Sequence, residues 1–387
     1  MIFAAHPWMI GCGTALAAAA ACYTLTSWAA VVYRRRKAAH PSLPDRFPPV
    51  TILKPLCGAE PGLYECLRSF CDQAYPRFQI IFGVRDRDDP AVDVVGRLRA
   101  EFPAADLAVA IDRRQHGNSR KVSNLINMMA LARHDHLVLA DSDIRVERDY
   151  LARVVRPLLD EKVGIVTCLY RGNPRAGFWS LLGSMFIDEW FMPSVCIAAM
   201  TGSRSFAFGA TIAIRRQVLE RIGGFEAMAD QLADDFRMGE LTRRLGLRTV
   251  LSEVVVETSV DERSLGDLLR HEVRWLRTIR AVRPAGYSFS FITFGLPVAA
   301  LGALLAGGAR PAVILFGATV LARVVLHGTV RGPNSALWHL FVLPLRDGLG
   351  LALWAWGFVG RSVRWRNDCY RVVRDGSVHP LFKDLAQ

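Results

Sequence analysis

The sequence predicts an α/β fold: a doubly wound sheet domain joined to transmembrane and interfacial helices. Three observations carry this. Short apolar runs alternate with helix-period segments between residues 49 and 283, two of those runs end abruptly in carboxylates, and long apolar stretches lie toward both ends of the chain. With 387 residues, 51% hydrophobic, and a mean hydropathy of +0.21, the chain is too apolar for an average soluble protein and too charged for a pure membrane bundle.

Residues 2–33 are nearly all apolar and are followed at once by Arg34-Arg35-Arg36-Lys37. A signal peptide carries its charges before the apolar core, so 1–33 reads as a membrane anchor whose basic flank stays cytoplasmic. Residues 34–48 form a basic, Pro-containing linker. From 49 to 283 follows the sheet domain. Its predicted strands are 49–56, 79–84, 107–111, 136–140, 163–167 and 209–215, and its predicted helices are 60–73, 92–102 and 121–132. Strands alternating with helices give a parallel sheet, which binds ligands beyond the carboxyl ends of its strands.

The segment 178–200 is apolar but holds Asp188 and Glu189, and charges at membrane depth are expensive, so an amphipathic segment lying at the interface or lining an acceptor cleft is expected there. Apolar stretches at 287–309, 312–326 and 337–360 make 284–360 a membrane region. The last is broken by Arg346-Asp347 and is expected to be interfacial or re-entrant, which keeps the basic tail 361–387 cytoplasmic.

Four places hold residues suited to chemistry. Asp86 stands at the end of the second strand. Asp141-Ser142-Asp143 ends the run 136–140, where hard cations such as Mg2+ or Mn2+ find oxygen ligands, although Asp-Ser-Asp is also an ordinary turn composition. Asp234 and Asp235 open a helix; one acid there would satisfy the macrodipole, and side chains about 100 degrees apart leave one of the two to face a pocket. The stretch from His271 to Trp275, with Arg274, is basic and tryptophan-bearing just before apolar sequence, where a snorkelling anchor is the plain alternative. The net charge of +12 suits anionic headgroups and a nucleotide diphosphate, though an arginine bias alone produces it. Scattered arginines without a recognition motif argue against nucleic acid. Eight dispersed cysteines lack metal-ligand spacing and suit a reducing compartment.

In this order, Asp86, Asp141-Ser142-Asp143, Asp235 and His271 to Trp275 resemble the D, DxD, D, (Q/R)xxRW pattern of membrane-bound GT-A glycosyltransferases. The resemblance is nearest to the ceramide glucosyltransferase family and takes in Thr51 to Leu56, Arg85 to Ala91, Lys121 with Asn124-Leu125, and Trp365-Arg366 to Tyr370-Arg371. It implies a nucleotide-diphospho-sugar transferase domain in which Asp86 meets uridine and Lys121 holds phosphate. Asp141 and Asp143 would bind the donor diphosphate through Mg2+ or Mn2+, Asp235 would act as general base, and His271, Arg274 and Trp275 would close over the diphosphate or acceptor. A single displacement inverts the anomeric centre. His271 replaces the usual Gln or Arg, and Met192 precedes Pro193 where animal ceramide enzymes carry His. The sequence around 206–209 and 274–283 is similar to the bacterial hopanoid-associated branch. The expected reaction is therefore transfer of one N-acetylglucosamine or glucose from a UDP-sugar to a membrane lipid, favouring bacteriohopanetetrol, with ceramide as the alternative. That places the protein, with a cytoplasmic catalytic domain, in the bacterial inner membrane. A processive polysaccharide synthase shares the motifs but needs a polymer channel, and a non-enzymatic scaffold would leave lipids unchanged when Asp141 or Asp235 is altered.

Overall fold

In the computed structural model the described residues are 6–38, 46–203, 206–332, 336–365, 368–373 and 376–381; residues 39–45 of the 34–48 linker, and Arg366 and Arg374 of the tail, lie outside them. Four strands, β1 (Val50–Pro55), β2 (Phe78–Val84), β3 (Asp106–Ile111) and β4 (His136–Leu139), run parallel in the order β3-β2-β1-β4. β1, β2 and β4 are buried almost throughout, which is why they read as apolar runs rather than alternating ones. The sheet continues through β5 (Ile144–Arg145), β6 (Val163–Pro174), β7 (Ile212–Arg215) and β8 (Arg248–Val260) in the full order β3-β2-β1-β4-β7-β6-β8-β5.

The α/β expectation is met, with one correction: the sheet is mixed. β7 is antiparallel to both β4 and β6, and β5 is antiparallel to β8. A parallel neighbour needs a crossover that carries the chain back along the sheet. After β6 the chain instead leaves this unit for residues 176–202 and returns to enter β7 from the other end. β8 was not anticipated, although Val254, Val256, Thr258 and Val260 are buried and alternate with more exposed neighbours.

The sheet belongs to a unit comprising Ala38–Arg175, Ser203–Asp261 and Asp368–Gln387. On one face, Leu53, Ile81, Leu137 and Ile214 pack with Val122, Leu125 and Met128 of the helix Arg120–Met128. That helix comes close enough that a Cβ on Gly83 would lie 2.2 Å from Asn124 Oδ1, and the Asn124 amide donates to the Gly83 carbonyl at 2.8 Å. The opposite face of β1 carries Lys54, fully buried, with its ammonium 3.9 Å from the Phe70 ring centroid.

The second unit comprises Met1–Lys37, Ala176–Gly202 and Glu262–Asn367. Among the described residues three helical segments are long and apolar enough to cross a membrane: Pro7–Lys37, Phe178–Met200 and Arg310–Arg331; a bent pair, Pro284–Thr293 with Gly295–Leu305, would make a fourth. The expected 287–309 crossing is thus bent by 74°. The first helix runs on to Ala38, so the basic cluster forms its last turn, where the helix dipole favours cations.

Residues 178–200 do not lie at an interface as an exposed amphipathic segment: most of their apolar length is buried and both acids are paired. Glu189 accepts from Arg323 Nη1 at 2.6 Å, from His327 Nδ1 at 3.0 Å and from Arg331 Nε at 3.2 Å, while Asp188 lies 3.5 Å from Arg331. The expected break at Arg346-Asp347 is also absent, and His339–Trp356 is one helix. Asp347 pairs with Arg323 at 2.9 Å and Arg346 forms two 2.7 Å bonds with Glu272. Buried charge is tolerated when each ion finds a hydrogen-bonded partner, and a sequence scan for charges does not reveal such pairing.

Candidate active site

The parallel register places the ends of β1, β2 and β4 on one sheet edge, pairing Leu53 with Leu139 and Pro55 with Gly83. Asp86 lies two residues beyond β2 and Asp141 two beyond β4. At this edge Lys121 Nζ stands 2.7 Å from Asp141 Oδ1 and 3.3 Å from Asp234 Oδ2. Lys121 occupies the first turn of its helix, behind the Ser119 cap, where the macrodipole disfavours a cation. Burial also opposes its charge, but Asp141 and Asp234 outweigh both and raise its proton affinity well above that of an ordinary lysine.

Asp235 accepts from the Gly209 N–H at 2.8 Å through one oxygen and from the Phe236 N–H at 2.7 Å through the other. Burial, and then the charge of Asp234, push its carboxyl up to about 6. Both acids at this helix start therefore turn toward the cluster. Asp234 is the more enclosed, its side chain 10% exposed against Lys121, whereas Asp235 is partly exposed. The expectation that only one could face the site fails because Lys121 reaches across to the second.

Gly209 sits at the centre. A Cβ there would lie 3.2 Å from Asp141 Oδ2, 3.2 Å from Lys121 Nζ and 3.6 Å from Asp235 Oδ2. On the expectation that this cluster meets a nucleotide-sugar donor, Gly209→Val should raise the donor KM about tenfold, equivalent to about 1.4 kcal/mol. An unchanged KM would show that the cluster does not meet the donor.

Asp143 is held from the side. Its carboxylate accepts from Thr258 Oγ1 at 2.5 Å and its carbonyl from the Ser259 N–H at 3.0 Å, and burial followed by Asp141 raises its pKa. From below, the Lys54 ammonium donates to the Asp141 carbonyl. Burial lowers the Lys54 pKa to about 8, with the nearby Asp143 and Asp141 opposing the fall. Asp86 does not join the cluster and pairs with Arg113.

No three His, Cys, Asp or Glu side chains among the described residues form a group able to hold a metal ion alone. The donors suit a metal that brings its own ligands: Mg2+ is commonly held by one or two carboxylates plus substrate phosphates, and the Asp141 side chain is 37% exposed.

His271, Arg274 and Trp275 belong to the other unit, on the helix Leu265–Val282 capped by Ser264. His271 Nδ1 is hydrogen-bonded to the Glu262 carboxylate. Trp275 packs edge-on to His271 and near Phe186 and Phe191. Lys54, Gly209, Thr258 and Glu262 escaped the sequence reading as site residues. Lys54 left a signal, a lone lysine inside an apolar strand, and Thr258 left one in the alternation of β8; Gly209 and Glu262 left none.

The profile of glycosyl transferase family 21 matches residues 13–378. The chain belongs to that family. It is 23% identical over 269 residues to ceramide glucosyltransferase 3 of Caenorhabditis elegans, covering 68% of this chain and 58% of that protein. To the ceramide glucosyltransferase of Komagataella phaffii it is 32% identical over 120 residues, 30% of this chain and 24% of that one. The chain spans about half the length of the first curated relatives it matches. A solved mannosyltransferase from Pyrobaculum calidifontis, in complex with GDP-mannose and Mn2+, superposes with a TM-score of 0.50 at 21% identity, over 89% of this chain and 98% of that one. The family 21 chain thus has a GT-A glycosyltransferase fold.

Proposed function

We propose that this family 21 chain is an inverting, UDP-sugar-dependent hexosyltransferase that moves one glucose or N-acetylglucosamine to a hydroxyl of a membrane lipid. The observation that carries the reading is the meeting of Asp141, Lys121, Asp234 and Asp235 around Gly209 at the carboxyl edge of the sheet. Asp141 and Asp143 would hold Mg2+ or Mn2+ through the donor diphosphate, and that ion would neutralise charge growing on the leaving group. Lys121, already an anion partner, would hold phosphate, and Asp86 would meet the uridine. Asp235 has one partly exposed carboxylate oriented by two backbone N–H groups, and it takes the proton of the acceptor hydroxyl. Attack opposite the leaving diphosphate inverts the anomeric carbon.

The lipid acceptor is supported by the apolar helices and by relatives named ceramide glucosyltransferases. Ceramide is the acceptor those names favour, and a bacteriohopanetetrol-type polyol is the one favoured by the sequence at 206–209 and 274–283. The basic turn 34–37 supports a cytoplasmic face for the sheet unit, in a bacterial inner membrane. Purified protein in nanodiscs, given UDP-glucose or UDP-N-acetylglucosamine with each lipid, should yield one monoglycosylated product by mass spectrometry. Turnover should vanish in EDTA and return with Mn2+ or Mg2+. A polymeric product, or turnover indifferent to EDTA, would sink the reading.

A further inference from the structure

Lys54 is fully buried in a strand otherwise made of apolar and small residues, and its amine is directed to the Asp141 carbonyl from beneath the Asp141-Ser142-Asp143 turn. Its neighbours give it no salt bridge among the described residues; the Phe70 ring face covers its other side. Lys121 approaches the same turn from its outer side and takes up Asp141 Oδ1. Four carboxylates, Asp141, Asp143, Asp234 and Asp235, thus lie near two ammoniums, one in the core and one partly exposed. No three acids are arranged to enclose a bare ion among the described residues.

Resting on the donor-site reading above, we infer that Lys54 and Lys121 act as a built-in substitute cation. They suppress binding of a free divalent ion, so that metal enters only together with the nucleotide diphosphate. The electrostatics run in one direction. Each ammonium repels an incoming dication and attracts an incoming diphosphate, and in a partly buried site both effects are weakly screened. A free ion meets two positive charges and too few oxygen ligands. A metal–diphosphate complex brings its missing ligands, and its phosphate oxygens give Lys121 a new partner as it leaves Asp141. Lys54 cannot move, so it is a positioning residue: its charge and its bond to the Asp141 carbonyl hold the turn in the empty state.

Titration of the full chain in nanodiscs with Mn2+, followed by the EPR signal of the free ion with and without UDP, tests this. In the wild type, UDP should tighten Mn2+ uptake by at least about tenfold. In Lys54→Met and in Lys121→Met, Mn2+ without UDP should bind about tenfold tighter than in the wild type, as removal of a nearby positive charge requires. Structural damage does not tighten a site, so this gain separates a charge role from a packing role. If Lys54→Met does not fold, as judged by circular dichroism, Lys121→Met decides. No tightening in Lys121→Met, or in a folded Lys54→Met, overturns the inference while leaving the donor site standing, provided that wild type takes up Mn2+ with UDP. No uptake by the wild type even with UDP overturns both.

Discussion

Asp235→Asn is expected to lower kcat by about 10²–10⁴-fold, the usual contribution of a positioned general base, while UDP binding stays near the wild-type level. The amide keeps the size of the carboxylate and can still sit beside the Gly209 N–H, but it cannot take a proton from the acceptor. As the proposed base, the same residue should set the acid limb of the pH profile. Its pKa is raised by burial and by Asp234 to about 6, and the base works only when ionised. Activity is therefore present above that pH and lost as pH falls through it, so kcat/KM should fall by roughly tenfold per pH unit below the limb. Asp234→Asn should behave differently, because Asp234 faces Lys121: the donor KM should rise more than kcat falls. Equal kcat losses in the two variants would count against Asp235 as the base.

Arg323→Met destabilises the helical unit by about 3–5 kcal/mol, the range for stranding a buried charge. Arg323 is 5% exposed and is the shared partner of Glu189 and Asp347, at 2.6 and 2.9 Å, so its removal strands the Asp347 carboxylate and leaves Glu189 to His327 and Arg331. Denaturant or thermal unfolding in micelles would read the loss. Adding Glu189→Gln and Asp347→Asn should recover most of it, since no charge is then stranded. A single Arg323→Met variant within about 1 kcal/mol of the wild type would mean that water already reaches the network.

Much of the fold was legible because burial on both faces leaves a direct trace in composition. β1, β2 and β4 appear as apolar runs, and Asp86 and Asp141 were visible as acids where such runs stop. The helix carrying Lys121 and the one opened by Asp234 and Asp235 were placed by periodicity and by acids in a first turn. The direction of β7, the existence of β8, the continuity of His339–Trp356 and the burial of Phe178–Met200 were not legible in the same way. Each depends on partners far away in the chain. Glu189 and Arg323 are separated by 134 residues, and read singly each argues against a buried helix.

The sequence by itself determined the alternation of strands and helices, the apolar segments and the order of the acidic and basic motifs, because these follow from local burial and periodicity. Only the tertiary structure decided which charges are neutralised by which. It turned Asp234 toward Lys121, pinned Asp143 on Thr258, set Lys54 under Asp141 and left Asp235 partly exposed. The physical reason is that charge–charge energy depends on distance and burial in space, and neither is a function of separation along the chain.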